Sequence, residues 1–200
     1  MALDITAADG ANIPPSLRIL GIAGSLRAES YNRALLRAAR EEVPPGILID
    51  LYDIATVPFY NADVEQRGFP IAVERLRSEV AAADALIFAA PEYNFSVSGA
   101  LKNALEWLSR PPNPPAFGKP CAILGASVSP LGTARGQFHL RHICVSLNMI
   151  PVNVPHVDIT NAKTKFDAES RLIDQPSIDL LRELLNELFS LTARLRLSRS

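Results

Sequence analysis

The residues best equipped for chemistry lie together in Ser25-Leu26-Arg27-Ala28-Glu29-Ser30-Tyr31-Asn32. Ser25, Ser30 and Asn32 carry hydrogen-bond donors, and Arg27 carries a permanent charge on a forked guanidinium. Such groups suit an anion. The stretch follows Leu17–Gly24, an apolar run that reads as a buried strand ending in glycine, and it opens into an apolar-periodic helix from about Arg33 to Glu42. At a helix start the first N–H groups have no intrahelical acceptors, and the helix dipole adds partial positive charge. Strand, polar loop and helix start thus predict a phosphate cradle. Gly21 and Gly24 are three apart and no lysine follows, so the P-loop pattern is absent. The third glycine of the dinucleotide fingerprint is missing too. Side-chain donors without these motifs fit a terminal phosphate monoester better than a pyrophosphate. The same residues would equally serve as a plain helix cap, with Gly24 in the turn, and this loop alone leaves both readings open.

Two further loops carry reactive or polar groups. Pro91-Glu92-Tyr93-Asn94, continued by Phe95-Ser96-Val97-Ser98-Gly99, offers an aromatic ring, a carboxylate and backbone N–H groups. Packing of Tyr93 at a strand end and solvation of Glu92 are the plainer readings. Ser127 opens a third loop running to Thr133. Cys121 and Cys144 sit in apolar surroundings without a Cys-x-x-Cys pattern, as expected of buried structural thiols. His139 and His142 share a helix face, but no third ligand is near in sequence, so no metal site is expected.

The elements that must position these loops alternate. Strands are expected at 17–24, Ile47–Ile54, Ala85–Ala90, Cys121–Ser127 and Ile150–Ile159, the last at a sheet edge because of Pro151 and Pro155. Helices are expected after the first loop, from Pro70 to Ala83, over Ala100–Ser109, over Ala134–Leu147 and over Pro176–Leu195. Val57–Asp63 reads as a loop, and Arg110–Pro115, holding four of the sixteen prolines, as an extended surface segment. Strands apolar throughout and alternating with helices predict an α/β fold. The expected form is flavodoxin-like, a five-stranded parallel sheet in the order 2-1-3-4-5 with helices on both faces. In that order all three loops meet at the carboxyl edge of the strands, which favours the phosphate reading over the cap.

Composition sets the remaining bounds. The chain has 200 residues, 48% of them hydrophobic, enough for one domain over 17–196 behind a polar leader over 1–16. A net charge of −1 gives no electrostatic case for nucleic acid or an anionic membrane. No apolar run is long enough to cross a bilayer, and no secretory signal is evident, so a cytoplasmic setting is expected.

A flavin mononucleotide would need a phosphate socket, a flat surface and donors facing the polar edge of its ring, and the first two loops offer these. Gly24-Ser25-Leu26-Arg27-x-x-Ser30-x-Asn32, Pro91-Glu92-Tyr93-Asn94 and Gly99-Ala100-Leu101-Lys102-Asn103-Ala104-Leu105-Glu106-Trp107-Leu108-Ser109 together resemble the NADPH-dependent FMN reductase family. Within it, the bacterial soluble quinone reductases, also called chromate reductases, are the most similar. The resemblance spans Leu17 to Leu195. It implies FMN bound without a covalent link, and electrons passed from NADPH or NADH to quinones and, less selectively, to azo, nitro or metal-oxyanion acceptors. By position it implies that Ser25, Arg27, Ser30 and Asn32 hold the phosphate. Pro91, Glu92, Tyr93 and Asn94 would meet the isoalloxazine, and Ser127 the ring or ribityl chain. Gly125-Ala126 and Val128-Ser129-Pro130 depart from the family pattern, which has more hydroxyl and glycine residues in the third loop.

The implied reaction is a two-step hydride relay through the flavin N5, with no catalytic side chain required. A homodimer or homotetramer is implied, with Trp107 as an interface anchor or as packing within the subunit. Arg110 and Arg135 are candidates for contact with the nucleotide or a neighbouring subunit. No basic cluster marks a 2′-phosphate pocket, so the pattern does not separate NADPH from NADH. A flavodoxin-type electron carrier is the alternative, disfavoured by the near-neutral charge; a flavin-free ligand-binding or regulatory module is a third.

Overall fold

The computed structural model describes residues 16–198, so nearly all of the expected leader lies outside the described residues. The elements are β1 (Leu17–Ala23), α1 (Tyr31–Glu41), β2 (Ile47–Tyr52), α2 (Ala62–Glu65), α3 (Ile71–Ala82), β3 (Ala85–Ala89), β4 (Glu92–Tyr93), β5 (Ser96–Val97), α4 (Gly99–Leu108), β6 (Pro120–Ala126), α5 (Ala134–Ser146), β7 (Ile150–Pro151), β8 (Val157–Ile159) and α6 (Gln175–Leu197). The main sheet is parallel and runs β2-β1-β3-β6, with β7 and β8 both paired to β6 at the far edge. Counted as one edge position, β7 and β8 complete the expected flavodoxin-like order.

Side chains alternate across this sheet, and both faces are covered. Leu17 and Ile19 of β1 join α1 and α6 on one face, while Leu20 and Ile22 join α3, α4 and α5 on the other. All residues of β3 and β6 are buried, which accounts for their unbroken apolar sequences. Among the described residues no helix is long and apolar enough to cross a membrane.

Three expectations need correction. The single strand expected over Ile150–Ile159 is two short strands: β7 pairs with the start of β6 and β8 with its end. Prolines 151 and 155 bring no N–H to the ladder, so pairing is interrupted between the two. The second strand stops at Tyr52, short of Ile54. The Pro91–Gly99 loop contains a β-hairpin, in which Glu92 pairs with Val97 and Tyr93 with Ser96. Its two turn residues, Asn94 and Phe95, have φ of 49° and 64°, as a two-residue turn with left-handed centres requires. The usual Asn-Gly signature is absent, so the hairpin is invisible to turn chemistry.

Candidate functional site

The first loop leaves β1 at Gly24, whose N–H donates to Ala89 O (2.9 Å) and so keeps it beside β3. A Cβ at Gly24 would lie 2.8 Å from both Pro91 Cδ and Ser98 Oγ, so the first and second loops touch only because glycine is there. Ser98 caps α4 by accepting from Leu101 N (3.3 Å) and donates its own hydroxyl to Gly24 O (2.7 Å). The first and third loops are joined by Asn32. Its carboxamide donates to Ala126 O and accepts from Ala126 N, both at 3.0 Å and both buried. In β6, Gly125 allows Thr133 to close in, since a Cβ there would meet Thr133 Oγ1 at 2.1 Å.

Two adjoining hollows of about 180 and 360 Å3 open where these loops converge, and they share Glu92 and Ser127. The smaller is lined by Ser25, Arg27, Ser30, Asn32, Pro91 and Tyr93, and the larger adds Asn94, Phe95 and Arg135. All nine residues singled out from the sequence therefore meet at one rim, though they do not all face it in the same way.

Ser25 Oγ accepts from Tyr93 OH (3.2 Å), Ser30 Oγ accepts from Asn32 N (3.2 Å) as the α1 cap, and Ser127 Oγ accepts from Ser129 N (3.1 Å). Each hydroxyl acts as an acceptor here, which leaves its own hydrogen available to donate. Leu26, Ala28 and Glu29 have backbone N–H groups without an acceptor among the described residues. The Arg27 guanidinium has no ionic partner there, and lies 5.9 Å from the Tyr31 ring centroid. Three hydroxyl hydrogens, free amides and an unpaired cation fit a phosphate well. Asn32 spends one amide N–H on Ala126 and keeps a second, at the wall of the smaller hollow, that can also donate.

Glu92 lines both hollows with its carboxylate already bonded within the chain. Its carboxylate accepts from Arg135 Nε (2.7 Å) and Gly136 N (3.1 Å), and pairs again with Arg135 Nη2. Burial pushes this carboxyl up, but the bonds from Arg135 and Gly136 outweigh it and hold the group below the usual range. Arg135 in turn lies 3.8 Å from the Phe95 ring centroid. Tyr93 and Phe95, half or more exposed, stand on the hairpin as flat apolar surfaces beside the hollows. Pairing across the hairpin turn engages the backbone of Tyr93 and Ser96, so fewer N–H groups stay free than in an open loop.

The capping role of Ser98 and the Asn32–Ala126 tie escaped sequence reasoning about the site, and Arg135, a candidate there for nucleotide contact, is paired with Glu92. The Ser-x-x-Leu start of α4 was a usable capping signal; the long-range tie had none. Trp107 is fully buried within the chain and its Nε1 donates to Pro58 O (2.8 Å), so it packs inside the subunit. Arg110 lies 5.0 Å from the Tyr60 ring centroid, against its own subunit. Cys121 and Cys144, far apart in sequence, bring their sulfurs to 4.0 Å in the core. Among the described residues no group of three or more His, Cys, Asp or Glu could hold a metal.

Comparison with known proteins gives a consistent picture. The sequence model described as NADPH-dependent FMN reductase matches residues 17–164. An NAD(P)H-dependent FMN reductase of Pseudomonas aeruginosa is 52% identical over 180 residues, covering 90% of this chain and 97% of its own. An NADPH:quinone oxidoreductase of Arabidopsis thaliana is 42% identical, covering 92% and 96%. Among solved structures, the flavoenzyme NAD(P)H:(acceptor) oxidoreductase of Paracoccus denitrificans superposes with a TM-score of 0.82 at 26% identity, covering 89% of this chain and 98% of its own.

Proposed function

The chain belongs to the NADPH-dependent FMN reductase family, and from that premise we propose that it binds FMN at the rim of its sheet and uses NAD(P)H to reduce quinones. The observation that carries this reading is the meeting of three loops around hollows supplied with uncommitted donors and one unpaired guanidinium. FMN, when bound, supplies the hydride chemistry itself. The chain's part is to bind, orient and exclude water. Ser25, Arg27, Ser30 and the free amides between them hold the phosphate. Asn32 holds the loop to β6 and turns its second amide N–H to the phosphate. Tyr93, its hydroxyl fixed by Ser25, presents a ring face, and Glu92 with Arg135 braces the hairpin that carries it. Ser127 donates to the flavin from the third loop, and Asn94 and Pro91 complete the wall.

No side-chain acid or nucleophile is needed. The flavodoxin-type carrier lacks the support that the named reductases among the relatives give the enzyme reading. Quinones are the acceptor class that the relatives' names support, and a cytoplasmic setting is part of the same proposal. A homo-oligomer agrees with exposed Phe138 and Val145 on the outer side of α5. The experiment is anaerobic mixing of the FMN-saturated protein with NADPH or NADH, followed by a quinone. Rapid bleaching of the flavin absorbance and its return with the quinone are expected. A protein that takes up no FMN, or holds it without bleaching, overturns the proposal.

A further inference from the structure

A third hollow, of about 290 Å3, lies on the other side of Ser25, between the outer face of α1 and the end of edge strand β2. Its walls carry Arg33, Arg37 and Arg40, spaced at i, i+4 and i+7 so that a helix stacks them on one side. The sequence shows no run of basic residues here, because none of the three adjoins another in the chain. Only Arg33 has an acidic partner, Asp53 at 3.2 Å. Arg37 and Arg40 have no ionic or hydrogen-bonding partner among the described residues. Like charges one turn apart weaken a helix, and Arg33 sits near the positive end of the α1 dipole. A cationic array of this kind is relieved by an anion.

The floor is of a different character. Gly21 lets Leu36 and Leu51 settle over β1, since a Cβ there would lie 2.9 Å from Leu51 Cδ2 and 3.3 Å from Leu36 Cδ2. Leu51 stays partly exposed at the edge of the sheet. The hollow thus offers an apolar floor below two unpaired guanidiniums, in a concave space near the lower end of small-molecule sites. Its concavity favours a small ligand over a protein surface, and its charge favours phosphate.

We propose that this groove is a second anion site, taking a phosphate monoester carried on a flat, largely apolar body of the adenosine phosphate class, with Arg37 and Arg40 as its cations and Leu36 and Leu51 as its floor. Two sources share that chemistry: the 2′-phosphoadenosine end of NADPH, which rests on the function proposed above, and a separate nucleotide. Because Ser25 borders both hollows, a ligand here lies next to the flavin phosphate socket without needing its donors.

The test is calorimetric titration of adenosine 2′,5′-bisphosphate into the FMN-saturated protein. Binding is expected, weakening as salt rises, and about tenfold or more weaker in the Arg37→Ala/Arg40→Ala double variant. Arg194→Ala, which removes one exposed charge from α6, leaves it unchanged. A raised KM for NADPH with an unmoved KM for NADH in the double variant identifies the donor's own phosphate as the occupant. Unmoved values for both identify a separate nucleotide. Absence of binding, binding undiminished in the double variant, or binding that FMN displaces overturns the proposal. If the protein takes up no FMN, the flavin reading fails on its own, and the same titration of flavin-free wild type and double variant still decides this one.

Discussion

At the scale of single residues, Asn32 joins a second role to the one its type suggests. Its amide looks like a phosphate donor from the sequence, and both of its polar atoms also bond the Ala126 backbone, with one N–H to spare. Replacing it with alanine leaves a buried N–H and a buried C=O of Ala126 without partners. Each orphaned group costs about 1–3 kcal/mol, so Asn32→Ala should lower stability by about 2–6 kcal/mol in urea unfolding. A residue serving only the ligand would leave the stability of the flavin-free protein unchanged. The place of Ser25, Arg27 and Ser30 at the rim was legible because a polar loop between an apolar strand and a helix start must fall at the carboxyl edge of the sheet. The Asn32 tie was not, because its partner is 94 residues away and is backbone, which carries no side-chain signature.

At the scale of elements, the hairpin β4–β5 and the start of α5 are clamped by Glu92. Its carboxyl is held below the ordinary value of about 4.5 by Arg135 and Gly136 against the opposing effect of burial. A depressed folded-state value means the clamp stabilises fully above the unfolded value and is lost as pH falls through the folded one. Glu92→Gln should therefore melt lower than wild type at pH 7. The gap should close on acidification below about 4.5, as thermal melts across that range will show. A gap constant with pH would mean the charge contributes nothing. The strands β1, β3 and β6 were legible because burial on both faces demands unbroken apolar runs. The hairpin was not, since Asn94 and Phe95 take left-handed backbone that their types do not announce. The split of the last strand was half legible: its prolines marked an edge but not the interruption.

At the scale of the whole molecule, charge is distributed unevenly between the two edges of the sheet. Near the amino ends of the strands Arg18 meets Asp50 at 2.8 Å and Glu79 at 2.5 Å, and Arg196 meets Asp84 at 3.1 Å. At the carboxyl edge Arg27 has no acidic partner among the described residues, and neither do Arg37 and Arg40 along α1, which runs back from that edge. A chain of net charge −1 thus carries an unpaired cation at the rim and two more on the adjoining helix, which the composition conceals. Strand order brings the three loops to that rim, and it was the alternation of strands and helices that made the order readable. The proposed function requires that this rim grip the phosphate of FMN. Comparing equilibrium binding of FMN and riboflavin, by flavin fluorescence, to the wild type and to Arg27→Ala tests it most directly. FMN should bind the wild type at least about tenfold more tightly than riboflavin, and Arg27→Ala should weaken FMN while leaving riboflavin unmoved. Equal affinity for the two flavins, or a preference that survives the loss of Arg27 intact, would contradict the account.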